Sequence, residues 1–229
     1  MAPFVNMHSR RWSLFCLINN KTFTTMKVLL INGSPHASGN TFEALNHMVA
    51  TFREEGVEAE IIHIGMRAVQ GCIGCFSCSQ TGTCAFGDPL YTVLEAKAKE
   101  CDALVVGSPV YYAGPNGSLC AILDRLFFAA GRHLQYKPAA SVAVCRRSGA
   151  TATFDRLNKY FTINNMPVVS SHYWNNAHGR TPGQVLQDEE GLQSLRQLAR
   201  NMVWLMRKIA ADNTPRPAAE ERVMTNFIR

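Results

Sequence analysis

Four cysteines stand within thirteen residues, Cys72-Ile73-Gly74-Cys75-Phe76-Ser77-Cys78-Ser79-Gln80-Thr81-Gly82-Thr83-Cys84, a C-x2-C-x2-C-x5-C spacing. Thiolates so close repel one another unless a cation or cluster takes their charge, or they stay protonated. Three at steps of three with a fourth nearby match the ligand run of a ferredoxin-type centre. Structural zinc more often uses two C-x2-C knuckles set further apart. The spacing leaves three readings open: an iron–sulfur cluster on Cys72, Cys75, Cys78 and Cys84, reduced thiols or a disulfide, and zinc. The other four cysteines, Cys16, Cys101, Cys120 and Cys145, are scattered, and the last three read as small core residues. A secreted disulfide scaffold would be shorter and more evenly supplied with cysteine. The cluster therefore points to metal or redox chemistry in a reducing, cytoplasmic compartment.

Three other loops carry candidate binding chemistry. The first, Gly33-Ser34-Pro35-His36-Ala37-Ser38-Gly39-Asn40-Thr41, is rich in hydroxyls and opens into a helix. Backbone N–H groups, hydroxyls and the positive end of the helix dipole converge in such a turn, which suits a phosphate. The spacing is neither Walker A nor the dinucleotide fingerprint, and a plain helix cap by Ser38 or Asn40 is the alternative. The second loop, Gly107 to Ser118, holds Pro109, Val110, Tyr111 and Tyr112, which suit a planar ring. Ordinary loop packing is the alternative there. The third, Arg146-Arg147-Ser148-Gly149-Ala150-Thr151, offers N–H groups and a cation to an electron-rich ring edge.

These loops need a frame. Residues 27–32, 57–64, 103–106, 140–145 and 168–171 read as strands. Helices are expected over 40–55, 88–100, 117–131, 151–164 and 187–211, with Asp88 an N-cap and Pro89 the first helical residue of the second. Strands alternating with helices imply a parallel α/β sheet covered on both faces, of strand order 2-1-3-4-5. Ligands then bind outside the carboxyl ends of the strands, where the three loops lie.

Taken together, Gly-Ser-Pro-His-x-x-Gly-Asn-Thr at 33–41, Gly-Ser-Pro-Val-Tyr-Tyr at 107–112 and Asp124-Arg125 resemble the NADPH-dependent FMN reductases. The cysteine spacing resembles the iron–sulfur flavoproteins within that family. The resemblance covers about residues 26–211 and implies a flavodoxin-like three-layer sandwich with a five-stranded sheet. It implies that Ser34, His36, Ser38, Asn40 and Thr41 hold the FMN phosphate. Pro109, Val110, Tyr111 and Tyr112, with Arg147, Ser148 and Gly149, would flank the ring. His36 stands where relatives often carry arginine. The cysteines would bind a 4Fe–4S cluster. The implied activity is electron transfer from NAD(P)H through FMN to a quinone, free flavin or nitro compound, with no acid or base residue assigned. The alternatives are an iron–sulfur electron relay with a ferredoxin-like partner, and a non-catalytic flavin-binding regulator. The resemblance also implies a homo-oligomer. Asp124 and Arg125 read either as a pair on the flavin helix or as a surface salt bridge. The loop at 172–178 reads either as a cap on the flavin pocket of this or a neighbouring subunit or as packing on the sheet edge.

Composition narrows the classes. The chain has 229 residues with 47% hydrophobic, enough for one domain with a real core. Mean hydropathy is −0.07, and no apolar run is long enough to cross a membrane. The formal net charge is +6, and Arg10, Arg11 and Lys21 supply half of it from residues 1–25, where there is no acid. The rest is scattered without a basic–aromatic run, which argues against nucleic acid as a partner. Residues 1–25 read as a poorly ordered extension, an upstream start ahead of the natural one at Met26. The Ser9-Arg10-Arg11 run loosely suggests an export signal, but its apolar stretch is short and no cleavage site follows. Residues 212–229, with Pro215 and Pro217, read as a surface arm.

Overall fold

A computed structural model describes residues 25–221, 223–225 and 227. The expected extension at 1–25 lies, but for Thr25, outside the described residues. In chain order the elements are β1 (Lys27–Asn32), α1 (Asn40–Glu54), β2 (Glu58–His63), α2 (Ser77–Thr81), α3 (Pro89–Glu100), β3 (Ala103–Tyr111), β4 (Gly114–Pro115), α4 (Gly117–Ala130), β5 (Ala139–Cys145), α5 (Ala150–Thr162), β6 (Asn176–His178) and α6 (Glu189–Ala211). Short 3-10 turns cover Gly131–His133 and Gln184–Gln187.

The sheet runs β2-β1-β3-β5-β6, all parallel, with β4 added antiparallel to β3. The central strands are continuous apolar runs because helices cover both of their faces. Residues 28–31 of β1 and 103–106 of β3 are all buried. On one face, Leu45, Met48 and Phe52 of α1 meet Leu195, Leu198 and Met202 of α6 over Leu30 and Val105. On the other, Leu94 of α3, Leu119 and Leu126 of α4 and Phe161 of α5 close over Ile31 and Val106. Asp88 Oδ1 accepts from Tyr91 N at 3.0 Å, which caps α3 at the Asp-Pro step.

Two strand boundaries differ from the sequence expectation. β3 does not end at Val106 but continues to Tyr111 and turns back into β4. Residues 168–171 are not the fifth strand. Val168 makes only an isolated bridge to Ala139, and the ladder resumes at β6. The intervening polar residues are satisfied through side chains: Ser171 Oγ donates to Tyr173 O at 2.6 Å, and Asn175 Nδ2 donates to Ser141 O of β5 at 3.2 Å. Such side-chain bonds compete with a ladder. Among the described residues no helix is long and apolar enough to cross a membrane.

Candidate functional site

The carboxyl ends of β1, β3, β5 and β6 enclose a cleft of 430 Å³. Its first wall is the loop between β1 and α1. Gly33 is required there, because a Cβ would sit 2.4 Å from Leu119 Cδ2 of α4 and 2.8 Å from Gly107 O. Ser34 is buried, and its Oγ accepts from His36 N at 3.1 Å. His63 of β2 reaches Ser34 O at 2.8 Å and braces the loop from behind. Gly39 precedes α1 as its N-cap and offers no side-chain cap, so the first turn of the helix, which lines the cleft, starts uncapped. Ser38 and Thr41 line the cleft, and so do His36 and Asn40. Asn40 also has a structural task, since its Oδ1 accepts from Val185 N at 3.1 Å. Asn32 Nδ2, at the end of β1, is buried and has no partner among the described residues.

Pro109, Val110 and Tyr111 form the second wall. Tyr112 and Ala113 make the two-residue turn between β3 and β4, with φ of 50° and 57°. Left-handed backbone at both positions matches the strand twist but costs residues with a Cβ. Gly149 supports this hairpin from below. Its φ is +86°, and a Cβ there would lie 2.8 Å from Ala113 Cα. Tyr112 is fully exposed at the tip and outside the cleft lining, and Arg147 and Ser148 are exposed and outside it as well. Val144, Cys145 and Arg146 complete the third wall, with Gly179, Arg180 and Pro182 past β6.

Arg146 belongs to the third loop expected at the cleft, whereas Cys145 and Arg180 were not singled out from the sequence. Cys145 read as core, and its thiol is pushed up by burial, which favours the neutral form. Arg180 follows a three-residue edge strand that periodicity cannot detect. Residues 172–178 do not line the cleft. A larger cleft of 510 Å³ lies at the opposite, amino end of β1, among Lys27, Arg53 and Glu58. It is remote from the strand ends where ligands of such sheets bind.

The second candidate centre is the cysteine loop between β2 and α3. Cys72, Cys75, Cys78 and Cys84 all rim one small pocket, floored by Arg125, Phe128 and Ala129 of α4. Phe76 adopts φ 58° within the loop, and its ring meets Phe128 edge-on at 5.7 Å. Ser77 hydrogen bonds draw the Cys75 thiol down, and burial pushes that of Cys78 up. Among the described residues, no three His, Cys, Asp or Glu side chains converge as ligands of one metal ion. Four cysteines on the walls of one pocket are a donor set whose chemistry suits an iron–sulfur cluster, which these residues would hold.

Arg125 is neither a flavin contact nor a surface salt bridge. It is 1% exposed and reaches the cysteine loop from beneath. Its Nε donates to Cys84 Sγ at 3.4 Å, one terminal nitrogen to Gln70 O at 3.3 Å, and the other to Phe86 O. The former also pairs with Asp88 Oδ2 at 2.7 Å, and the guanidinium lies 4.5 Å from the centre of the Tyr91 ring. Asp124 faces the other way, accepting from Tyr160 OH and pairing with Arg156 at 3.9 Å.

A doubly wound sheet with an uncapped helix start beside a cleft at its strand ends is a frame that suits the class of flavin-dependent oxidoreductases. Residues 26–181 match the model of the NADPH-dependent FMN reductase family. An iron–sulfur flavoprotein of Methanocaldococcus jannaschii is 33% identical over 192 residues, covering 80% of this chain and 99% of that one. The chain belongs to the NADPH-dependent FMN reductase family, in its iron–sulfur flavoprotein branch. Solved structures share the fold. RosB, with bound 8-demethyl-8-formylriboflavin-5′-phosphate, aligns with a TM-score of 0.64 at 17% identity, over 90% of this chain and 94% of that one. A flavodoxin, WrbA-like protein from Agrobacterium tumefaciens aligns at 0.55 and 14% identity, over 81% and 99%.

Proposed function

We propose that this chain is an FMN-dependent NAD(P)H oxidoreductase of the cytoplasm that passes electrons to a small acceptor such as a quinone, a free flavin or a nitro compound. The observation that carries the reading is the cleft, where one uncapped helix start with Ser38 and Thr41 faces a ring-sized space beside Pro109, Val110 and Tyr111. A single anion turn fits a mononucleotide, and the site has no second phosphate cradle of the dinucleotide kind. Bound FMN would supply hydride and electron transfer. The residues bind and orient it: the first turn of α1 takes the phosphate, and the β3 end fixes the ring plane. Arg146 and Arg180 place positive charge at the rim. Tyr112, Arg147 and Ser148 stand at the exposed side, where a second copy of the chain would complete the cover.

A second reading rests on the cysteine pocket. With a 4Fe–4S cluster on Cys72, Cys75, Cys78 and Cys84, electrons would enter singly from a reduced ferredoxin-like protein and pass through the cluster to the flavin. Four sulfurs on one pocket above a buried guanidinium support that cargo. Anaerobically purified protein, mixed with NADPH and a quinone, decides between them. Rapid NADPH oxidation supports the reductase. Turnover only with a reduced ferredoxin supports the relay. Tight FMN with neither activity refutes both and leaves a flavin-binding regulator.

A further inference from the structure

We propose that Arg125 is a positioning residue of the cysteine loop: it holds the loop's two ends together and, through its N–H bond to Cys84 Sγ, favours the reduced state of the centre the loop carries. The inference rests on the cluster reading above.

The guanidinium touches the loop on both sides of the cysteines. Gln70 O lies before Cys72, and Phe86 O and Asp88 lie after Cys84. One rigid side chain on α4 therefore closes an excursion of about twenty residues. Lysine has no such fork and could not make these bonds together. Burying a guanidinium is costly unless it is paired. The only carboxylate paired with it among the described residues is Asp88, whose side chain is 43% exposed. Four thiolates on the same pocket would supply the missing negative charge, which gives this buried cation a reason to be where it is.

The charge also has a redox consequence. Adding one electron to the centre makes it more negative. A fixed cation and an N–H donor on a ligand sulfur stabilise that added charge, so both raise the reduction potential. Asp88 works against them, because it neutralises part of the guanidinium.

The test compares wild type with Arg125→Lys, Arg125→Gln and Asp88→Asn. Each full-length protein is reconstituted anaerobically with iron and sulfide, with FMN retention as the control for folding. Iron per chain is counted, and the midpoint potential is followed by electron paramagnetic resonance during dithionite titration. In metal-free protein the labelling rate of the cysteines reports how closed the loop is. Arg125→Gln should lose iron, label faster and titrate at a lower potential. Arg125→Lys keeps the charge and should fall between it and wild type in potential, while labelling as fast as Arg125→Gln. Asp88→Asn should titrate above wild type. If Arg125→Gln holds no iron at all, the lysine and asparagine variants carry the potential measurement. A wild type that takes up iron, with variants of unchanged potential and labelling, overturns the role of Arg125 alone. A wild type that takes up no iron overturns the cluster reading, and this inference with it.

Discussion

At Gly149 a single methyl group would do damage out of proportion to its size. The φ of +86° is unfavourable for any L side chain, and the added Cβ would press on Ala113 Cα. Gly149→Ala should lower stability by about 2–3 kcal/mol. That corresponds to a melting temperature lower by about 5–10 °C in a chain of this size, read by differential scanning fluorimetry. The hydroxyls proposed to hold the phosphate give a second test. Ser38→Ala with Thr41→Ala should weaken FMN at least tenfold, at about 1.5–3 kcal/mol per charge-assisted bond, and leave riboflavin almost unchanged. Equal losses in fluorescence titrations with both ligands would refute the phosphate assignment. At this scale the position of the hydroxyl-rich turn at the cleft was legible, since a loop that follows a strand and opens into a helix lies at the strand ends. Arg125 was not, because only the fold shows that a helix residue 41 positions beyond Cys84 touches its sulfur.

Elements were legible where apolar runs were long. β1, β5, α1 and α6 lie within a few residues of their expected bounds, because each buries a continuous or periodic face. β6 was missed because three residues are too few for a pattern, and β3 was cut short because Gly107-Ser108-Pro109 reads as a breaker. That proline is tolerated at the far end of β3, next to the two-residue return strand. Its turn offers an engineering test. Ala113→Gly relieves a left-handed alanine and should raise the melting temperature by a few degrees, from roughly 1 kcal/mol. A pH test belongs to the α1–α6 contact. His47 Nε2 lies 2.8 Å from Arg196 Nη1, and burial, with the nearby Arg196 charge, holds the imidazole below its usual value. The unfolded chain therefore takes up a proton near pH 6.5 that the folded chain still refuses. Stability should fall as pH drops through that value. His47→Gln should flatten this slope in urea titrations run between pH 7.5 and 5.5, conditions chosen to bracket the ordinary histidine range.

For the whole molecule, the two candidate centres sit on different loops and should load separately. Cys72→Ser should abolish iron binding and leave FMN bound. FMN at about a hundred times its Kd should add roughly 2.7 kcal/mol to the stability of both wild type and the variant. A thermal shift of about 5–10 °C would be seen in each. Loss of the FMN shift in Cys72→Ser would show that the cysteine loop supports the flavin end as well.

Helix α4 is the part those two centres share. Leu119 lies under Gly33 of the β1–α1 loop, and Arg125, Phe128 and Ala129 lie under the cysteines. Six residues of α-helix separate Leu119 from Arg125, a rise of about 9 Å. The helix thus acts as a gauge, setting both the spacing and the angle between the two loops. Loops elsewhere on the surface can lengthen or shorten without disturbing that setting. One residue inserted between Leu119 and Arg125 would rotate the guanidinium by about 100° and turn it out of the pocket. Four inserted residues would bring it back to within about 40°, roughly 6 Å further along. Length variation inside this stretch of α4 should therefore come in whole turns or not at all.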